Sequence, residues 1–278
     1  MSSLRIFFIL LIFVIIGSGF FIFKQTSQKP TRSAELLPTL SQTSTPSPEV
    51  KGTKVKYPQD FTIVLLGDSM TERLGNSDEI RSYLSKYYPN KTVEVLNYGF
   101  GSTNILTVPD RLTKKTQYFR EFRPILDIEF NMIILESFGH NPLSQYSLAQ
   151  GLATQNKALD ESIDLIKKSN PNAKIVFLAT IAPNSKSYAL KQAELTPKVR
   201  AQWASERVAY IKNHIAYAKS HNIPIINVYQ KSLQKDGDGN PLYVDPNDNI
   251  HPSANGIYLI SQEIANFITQ QNYPQFTN

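Results

Sequence analysis

Phe61-Thr62-Ile63-Val64-Leu65-Leu66-Gly67-Asp68-Ser69 opens the foldable part of the chain. Residues 61–66 are apolar or β-branched without a break, as in a strand buried on both faces. A glycine and two small polar residues then end the run. Four further runs resemble it, at 93–96, 132–135, 174–179 and 223–228. Pro224 fits the start of the last one, where a missing N–H is tolerated. Between the runs lie helical patterns. Residues 77–88 carry Ile80, Tyr83, Leu84 and Tyr87 on one face, and 148–168, 199–220 and 254–270 are longer candidates. Strand–helix alternation predicts an α/β fold with a parallel sheet covered on both sides. The C-terminal ends of such strands share one edge, where open α/β sheets hold their ligands.

Chemistry-bearing residues collect after those ends. Three blocks follow apolar runs: Gly67-Asp68-Ser69, Asn97-Tyr98-Gly99-Phe100-Gly101-Ser102-Thr103 and Gly139-His140-Asn141. A fourth, Asp248-Asn249-Ile250-His251, precedes the last helix. A serine hydroxyl needs a base to become a nucleophile. His251 can supply it, and Asp248, three residues earlier, can reach the imidazole to fix its tautomer. Each block also has a plainer reading. Ser69 and Glu72 look like a capping box, Asp248 sits among turn formers, and Asp245 is a rival acid. His140 reads as a surface loop residue, and His214 and His221 as helix-surface residues.

In order and context, the four blocks resemble those of the SGNH hydrolases, the GDSL lipase/esterase superfamily. The resemblance spans about residues 60–270. It implies a flavodoxin-like three-layer α/β/α sandwich with a five-stranded parallel sheet. It implies a catalytic triad of Ser69, Asp248 and His251, with His251-Pro252-Ser253 holding the ring over the serine. It implies an oxyanion hole from the Ser69 N–H, Gly101 and Asn141. Gly99 rivals Gly101, which is preferred because Gly101-Ser102-Thr103 resembles the family's Gly-x-Thr ending. The family's Gly-x-Asn-Asp appears here as Gly139-His140-Asn141-Pro142, which puts the support of that loop in question. No cofactor and no metal are implied. The expected activity is hydrolysis of an acyl ester on a cell-envelope glycan or a lipid. The rivals are an O-acyltransferase working through the same acyl-enzyme, and a catalytically silent binding protein that keeps the fold.

With no cysteine in 278 residues, disulfides and thiolate chemistry are excluded. Residues 1–60 carry a net charge of +4 and residues 61–278 only +2, so no nucleic-acid partner is indicated. Asp236-Gly237-Asp238-Gly239-Asn240 has half the pattern of a calcium loop but lacks its remaining ligands, and reads as a turn. Residues 6–23, IFFILLIFVIIGSGFFIF, hold no charge over a length that can span a membrane. Residues 1–24 therefore read as an uncleaved signal anchor. Residues 25–56, rich in Ser, Thr and Pro, read as a disordered tether, and 57–278 as the hydrolase domain. The expected location is a single-pass membrane protein with the domain outside. Oligomeric state is open.

Overall fold

A computed structural model describes residues 53–273. The proposed anchor and nearly all of the proposed tether lie outside the described residues. Among those described, no helix is long and apolar enough to cross a membrane.

In chain order the elements are β1 (Phe61–Gly67), α1 (Ser69–Glu72), α2 (Asp78–Tyr87), β2 (Val93–Gly99), α3 (Val108–Thr113), β3 (Thr116–Tyr118) and β4 (Arg120–Phe122). They continue with β5 (Met132–Glu136), α4 (Leu148–Ser169), β6 (Lys174–Ala179), α5 (Pro197–Ser220), β7 (Ile225–Asn227), α6 (Val228–Lys231) and α7 (Ala254–Gln270). The five expected strands form one parallel sheet in the order β2-β1-β5-β6-β7. The fifth is shorter than the apolar run that announces it, because Val228 already begins α6.

Alternate residues of each strand feed opposite cores, as the pleat requires. Val64, Leu66, Ile133, Leu135 and Phe177 pack with Leu159, Ile163 and Ile166 of α4 and Tyr210 and Tyr217 of α5. Ile63, Leu65, Met132, Ile134 and Val176 pack with Ile80 and Leu84 of α2 and Ile260, Ile264 and Ile268 of α7. Each such aliphatic side chain contributes roughly 1.5–3 kcal/mol by leaving water. The result is the expected sandwich of helices on both faces of the sheet.

Register aligns the edge that carries the candidate site residues. Gly67 pairs with Gly99, and Leu66 pairs with both Tyr98 and Leu135. Ser69 and Gly101 thus stand two residues beyond a paired glycine couple. A Cβ at Gly99 would lie 2.2 Å from the backbone nitrogen of Glu72. Gly99 therefore serves close packing of α1 against the sheet, which separates it from Gly101.

A short antiparallel hairpin, β3–β4, lies apart from the main sheet. Its one-residue tip is Phe119, with φ of +53° and 91 % exposure.

Candidate active site

Ser69 is the first residue of α1, and the cap is Asp68, whose carboxylate accepts the Met70 N–H at 2.8 Å. The capping-box reading of Ser69 is corrected by this arrangement. With the N-terminal donor satisfied by Asp68, the Ser69 hydroxyl has no capping duty, and it lines a cleft of about 710 Å³. Gly101, Asn141 and His251 line the same cleft.

The loop before α7 is folded around carboxylates. Asp248 Oδ1 accepts the backbone N–H groups of Ile250 and His251 at 2.8 and 2.9 Å. Its Oδ2 lies 2.7 Å from His251 Nδ1, and Arg73 approaches the same oxygen at 3.5 Å. Burial raises the Asp248 carboxyl, but the His251 N–H, its ring and the Ile250 N–H outweigh that and hold it below the usual carboxylate range. An ionised carboxylate on Nδ1 directs the other ring nitrogen to act as base. The rival Asp245 spends its carboxylate on Asn247, accepting its N–H and its amide at 2.9 Å. Asn249 takes the left-handed conformation at φ +59°, which asparagine tolerates.

Asn141 donates from Nδ2 to Asp68 Oδ2 at 2.8 Å. One amide hydrogen is thereby fixed and the other is left for a ligand. The preceding turn closes through the Asn141 N–H on Phe138 O at 3.1 Å. Pro142 follows that closure, so its missing N–H costs the turn nothing.

Beneath these groups lies a buried charge cluster that sequence reading did not single out. Glu136, at the end of β5, accepts from Ser137 Oγ at 2.6 Å and from the Asp68 N–H at 3.4 Å. Burial, and then the Asp68 carboxylate, push Glu136 well above its ordinary range. Burial raises Asp68 as well, opposed by Asn141, Met70, Glu136 and Arg111. Of the two carboxyls Glu136 is pushed up the further, so it is the first of the pair to hold a proton. Arg111 is buried, donating from Nη1 to Gly67 O at 2.7 Å and Tyr98 O at 3.1 Å, and from Nη2 to the Thr103 and Thr107 hydroxyls. Burial lowers it to about 10, so it remains a cation.

Gly101 lies against Tyr118 of β3. Its N–H donates to the Tyr118 hydroxyl at 2.8 Å, and that hydroxyl donates to Glu72 Oε1 at 2.8 Å. A Cβ at position 101 would stand 2.6 Å from Glu72 Oε2 and 2.9 Å from the tyrosine oxygen. An expected oxyanion donor is thus engaged at rest by a tyrosine from the hairpin.

Two histidines differ from their sequence reading. His140 is buried rather than on a loop surface, with Nε2 3.2 Å from Ile181 O, and burial lowers it to about 4. His214 is fully buried, stacked on Phe177 at 4.1 Å, and burial lowers it to about 3. His221 is exposed, as read. In the Asp236–Asn240 segment, the Asp238 carboxylate is taken by the Ser185 N–H and hydroxyl, both at 2.8 Å. Among the described residues no group of three His, Cys, Asp or Glu side chains could hold a metal ion.

An open parallel α/β sheet with a serine, an Asp–His pair and amide donors along one edge defines the class: a hydrolase of the α/β/α sandwich type. The chain belongs to the GDSL-like lipase/acylhydrolase family, whose family model matches residues 65–257. It is accordingly an ester-hydrolysing enzyme. Solved structures share the fold. A lipase/acylhydrolase from Enterococcus faecalis aligns at 17 % identity over 76 % of this chain and 96 % of its own, with a TM-score of 0.56. A GDSL-like lipase from Bacteroides thetaiotaomicron aligns at 14 % identity over 76 % and 88 %, with a TM-score of 0.50. An alpha/beta hydrolase from the metagenome of Lake Arreo, Spain, aligns at 13 % identity over 78 % and 97 %, also at 0.50. No curated protein sequence matches the chain.

Proposed function

We propose that the protein is a membrane-tethered serine esterase that works through an acyl-enzyme on Ser69. The observation that carries this reading is the Asp248–His251 pair, 2.7 Å apart, opening on the cleft that Ser69, Gly101 and Asn141 line.

In the proposed reaction His251 takes the Ser69 proton as the oxygen attacks the ester carbonyl. Asp248 stabilises the imidazolium. The carbonyl oxygen, now negative, takes hydrogen bonds from the Ser69 N–H, the free Asn141 amide hydrogen and the Gly101 N–H, for which it displaces Tyr118. The imidazolium then protonates the departing alcohol. Water, activated by the same imidazole, releases the acid and frees Ser69. Each donor in such a hole is worth about 3 kcal/mol of barrier.

The cleft favours a short acyl group on a polar alcohol. Its lining mixes arginines and a glutamate with aromatic rings, and a long acyl chain would need a continuous apolar wall. An O-acyl group on a cell-envelope glycan suits this lining better than a long-chain lipid ester. Residues 6–23 support a membrane anchor by their length and lack of charge.

Ser69→Ala and His251→Ala test the reading. Each is expected to abolish turnover of p-nitrophenyl acetate while the melting curve stays cooperative. The double variant should be barely worse than either single one, because the two residues act as a unit. Substantial turnover by folded Ser69→Ala protein would refute the assignment.

A further inference from the structure

One end of the cleft is built in a way that ester hydrolysis alone does not require. Trp203 and Arg207 stand one turn apart on α5, and both line the cleft together with Tyr188. Trp203 is the only tryptophan of the chain, yet its residue is 39 % exposed. The Arg207 guanidinium lies 5.2 Å from the Trp203 ring and 5.3 Å from the Tyr188 ring. Its Nε donates to the Tyr188 hydroxyl at 3.2 Å, and its Nη1 donates to Glu206 at 2.8 Å and to Trp203 O at 3.3 Å. These bonds fix the guanidinium beside the indole and leave Nη2 without a partner among the described residues.

The chemistry of this end selects its ligand. A half-exposed indole offers an apolar face, and the arginine edge beside it offers hydrogen-bond donors. A pyranose ring presents the complement: a face of C–H groups and a rim of hydroxyl and ring oxygens. Charge narrows the choice. Glu206 neutralises Arg207 in a pair whose side chains are 27 % and 14 % exposed, so Arg207 has no unpaired charge with which to draw a phosphate. A quaternary ammonium would need the aromatic faces to itself, and the Arg207 guanidinium already lies over both rings.

We propose that Trp203, Arg207 and Tyr188 form a sugar-binding shelf for the alcohol half of the ester, which makes the substrate a carbohydrate ester. The proposal rests on the reading of this cleft as the esterase site.

The sole tryptophan supplies the test. Full-length Ser69→Ala protein is titrated with cellotriose, xylotriose and triacetylchitotriose while tryptophan emission is followed. Lysophosphatidylcholine, kept below micelle formation, is the lipid control. A saturable change in emission is expected with at least one trisaccharide and none with the lysolipid. By calorimetry, Trp203→Ala should weaken that binding tenfold or more, whereas Trp203→Phe, which keeps an aromatic face, should stay within about threefold. No saturable response to any of the three sugars overturns the proposal. So does a response to the lysolipid alone, or sugar binding undiminished in Trp203→Ala. The titration needs no turnover. Sugar binding alongside retained turnover in Ser69→Ala would therefore refute the proposed nucleophile and spare the shelf.

Discussion

Asp68 carries two duties through one carboxylate: Oδ1 caps α1 and Oδ2 orients the Asn141 amide. Asn141 should therefore act where negative charge develops. Asn141→Ala is expected to lower kcat by about a hundredfold with KM little changed, since the amide serves the transition state more than the ground state. A kcat within about threefold of wild type, on material whose folded fraction is checked by melting, would remove Asn141 from the site. At this scale the sequence was legible where residue type and chemistry coincide. Ser69, His251 and Asp248 stand out as candidates because few other residue types would serve, and the structure sets Asp248 on His251 beside the cleft that Ser69 and His251 line. Asp68 was missed as the helix cap, because serine caps as well as aspartate and Glu72 completes the look of a capping box from Ser69. Glu136 and Arg111 were passed over, as a charged residue beside an apolar run is ordinarily solvated. The signal for His214 was present. Tyr210, Ile211, His214, Tyr217 and Ala218 mark one buried face of α5 at helical spacing.

Among the elements, the five main strands were legible because each is an apolar run ended by glycine, small or polar residues. The β3–β4 hairpin was not. Its strands have three residues each, and its sequence, Thr116-Gln117-Tyr118-Phe119-Arg120-Glu121-Phe122, is too short to announce a pair of strands. Yet the hairpin brings Tyr118 to Gly101. If the substrate carbonyl must displace the tyrosine oxygen, removing that oxygen should help. Tyr118→Phe keeps the ring stacked on Phe100, 4.6 Å away, and is expected to raise kcat/KM for p-nitrophenyl acetate by about threefold or more. A fall of tenfold would mean that the hydroxyl itself assists the reaction. Residues held in the left-handed region cluster at this edge, including Ser102, Phe119, Phe138 and Asn249. Such conformations cost about 1–3 kcal/mol each and persist only where the surrounding fold enforces them.

The whole molecule should carry a pH signature of its buried histidines. His214 titrates near 6.5 in an unfolded chain and at about 3 when folded. Below pH 6.5 the unfolded chain takes up a proton that folded His214 refuses, so stability is lost as pH falls from 6.5 toward 3. Each pH unit in that window is worth on the order of 1.4 kcal/mol. The melting temperature of wild type should therefore drop relative to that of His214→Phe between pH 7 and pH 5, whatever their offset at pH 7. Parallel curves would contradict the burial of a neutral ring. The proposed anchor has its own test: full-length protein should stay with membranes through carbonate washing, while residues 53–278 should be soluble and active. Release of the full-length protein by carbonate would discard the tether. The central claim is that Ser69 is an activated nucleophile. It is tested most directly by treating the full-length protein with a fluorophosphonate and mapping the adduct by mass spectrometry. One phosphonate per molecule on Ser69 is expected, at a rate that collapses in His251→Ala. No adduct on folded protein, or an adduct confined to another residue, would contradict the account.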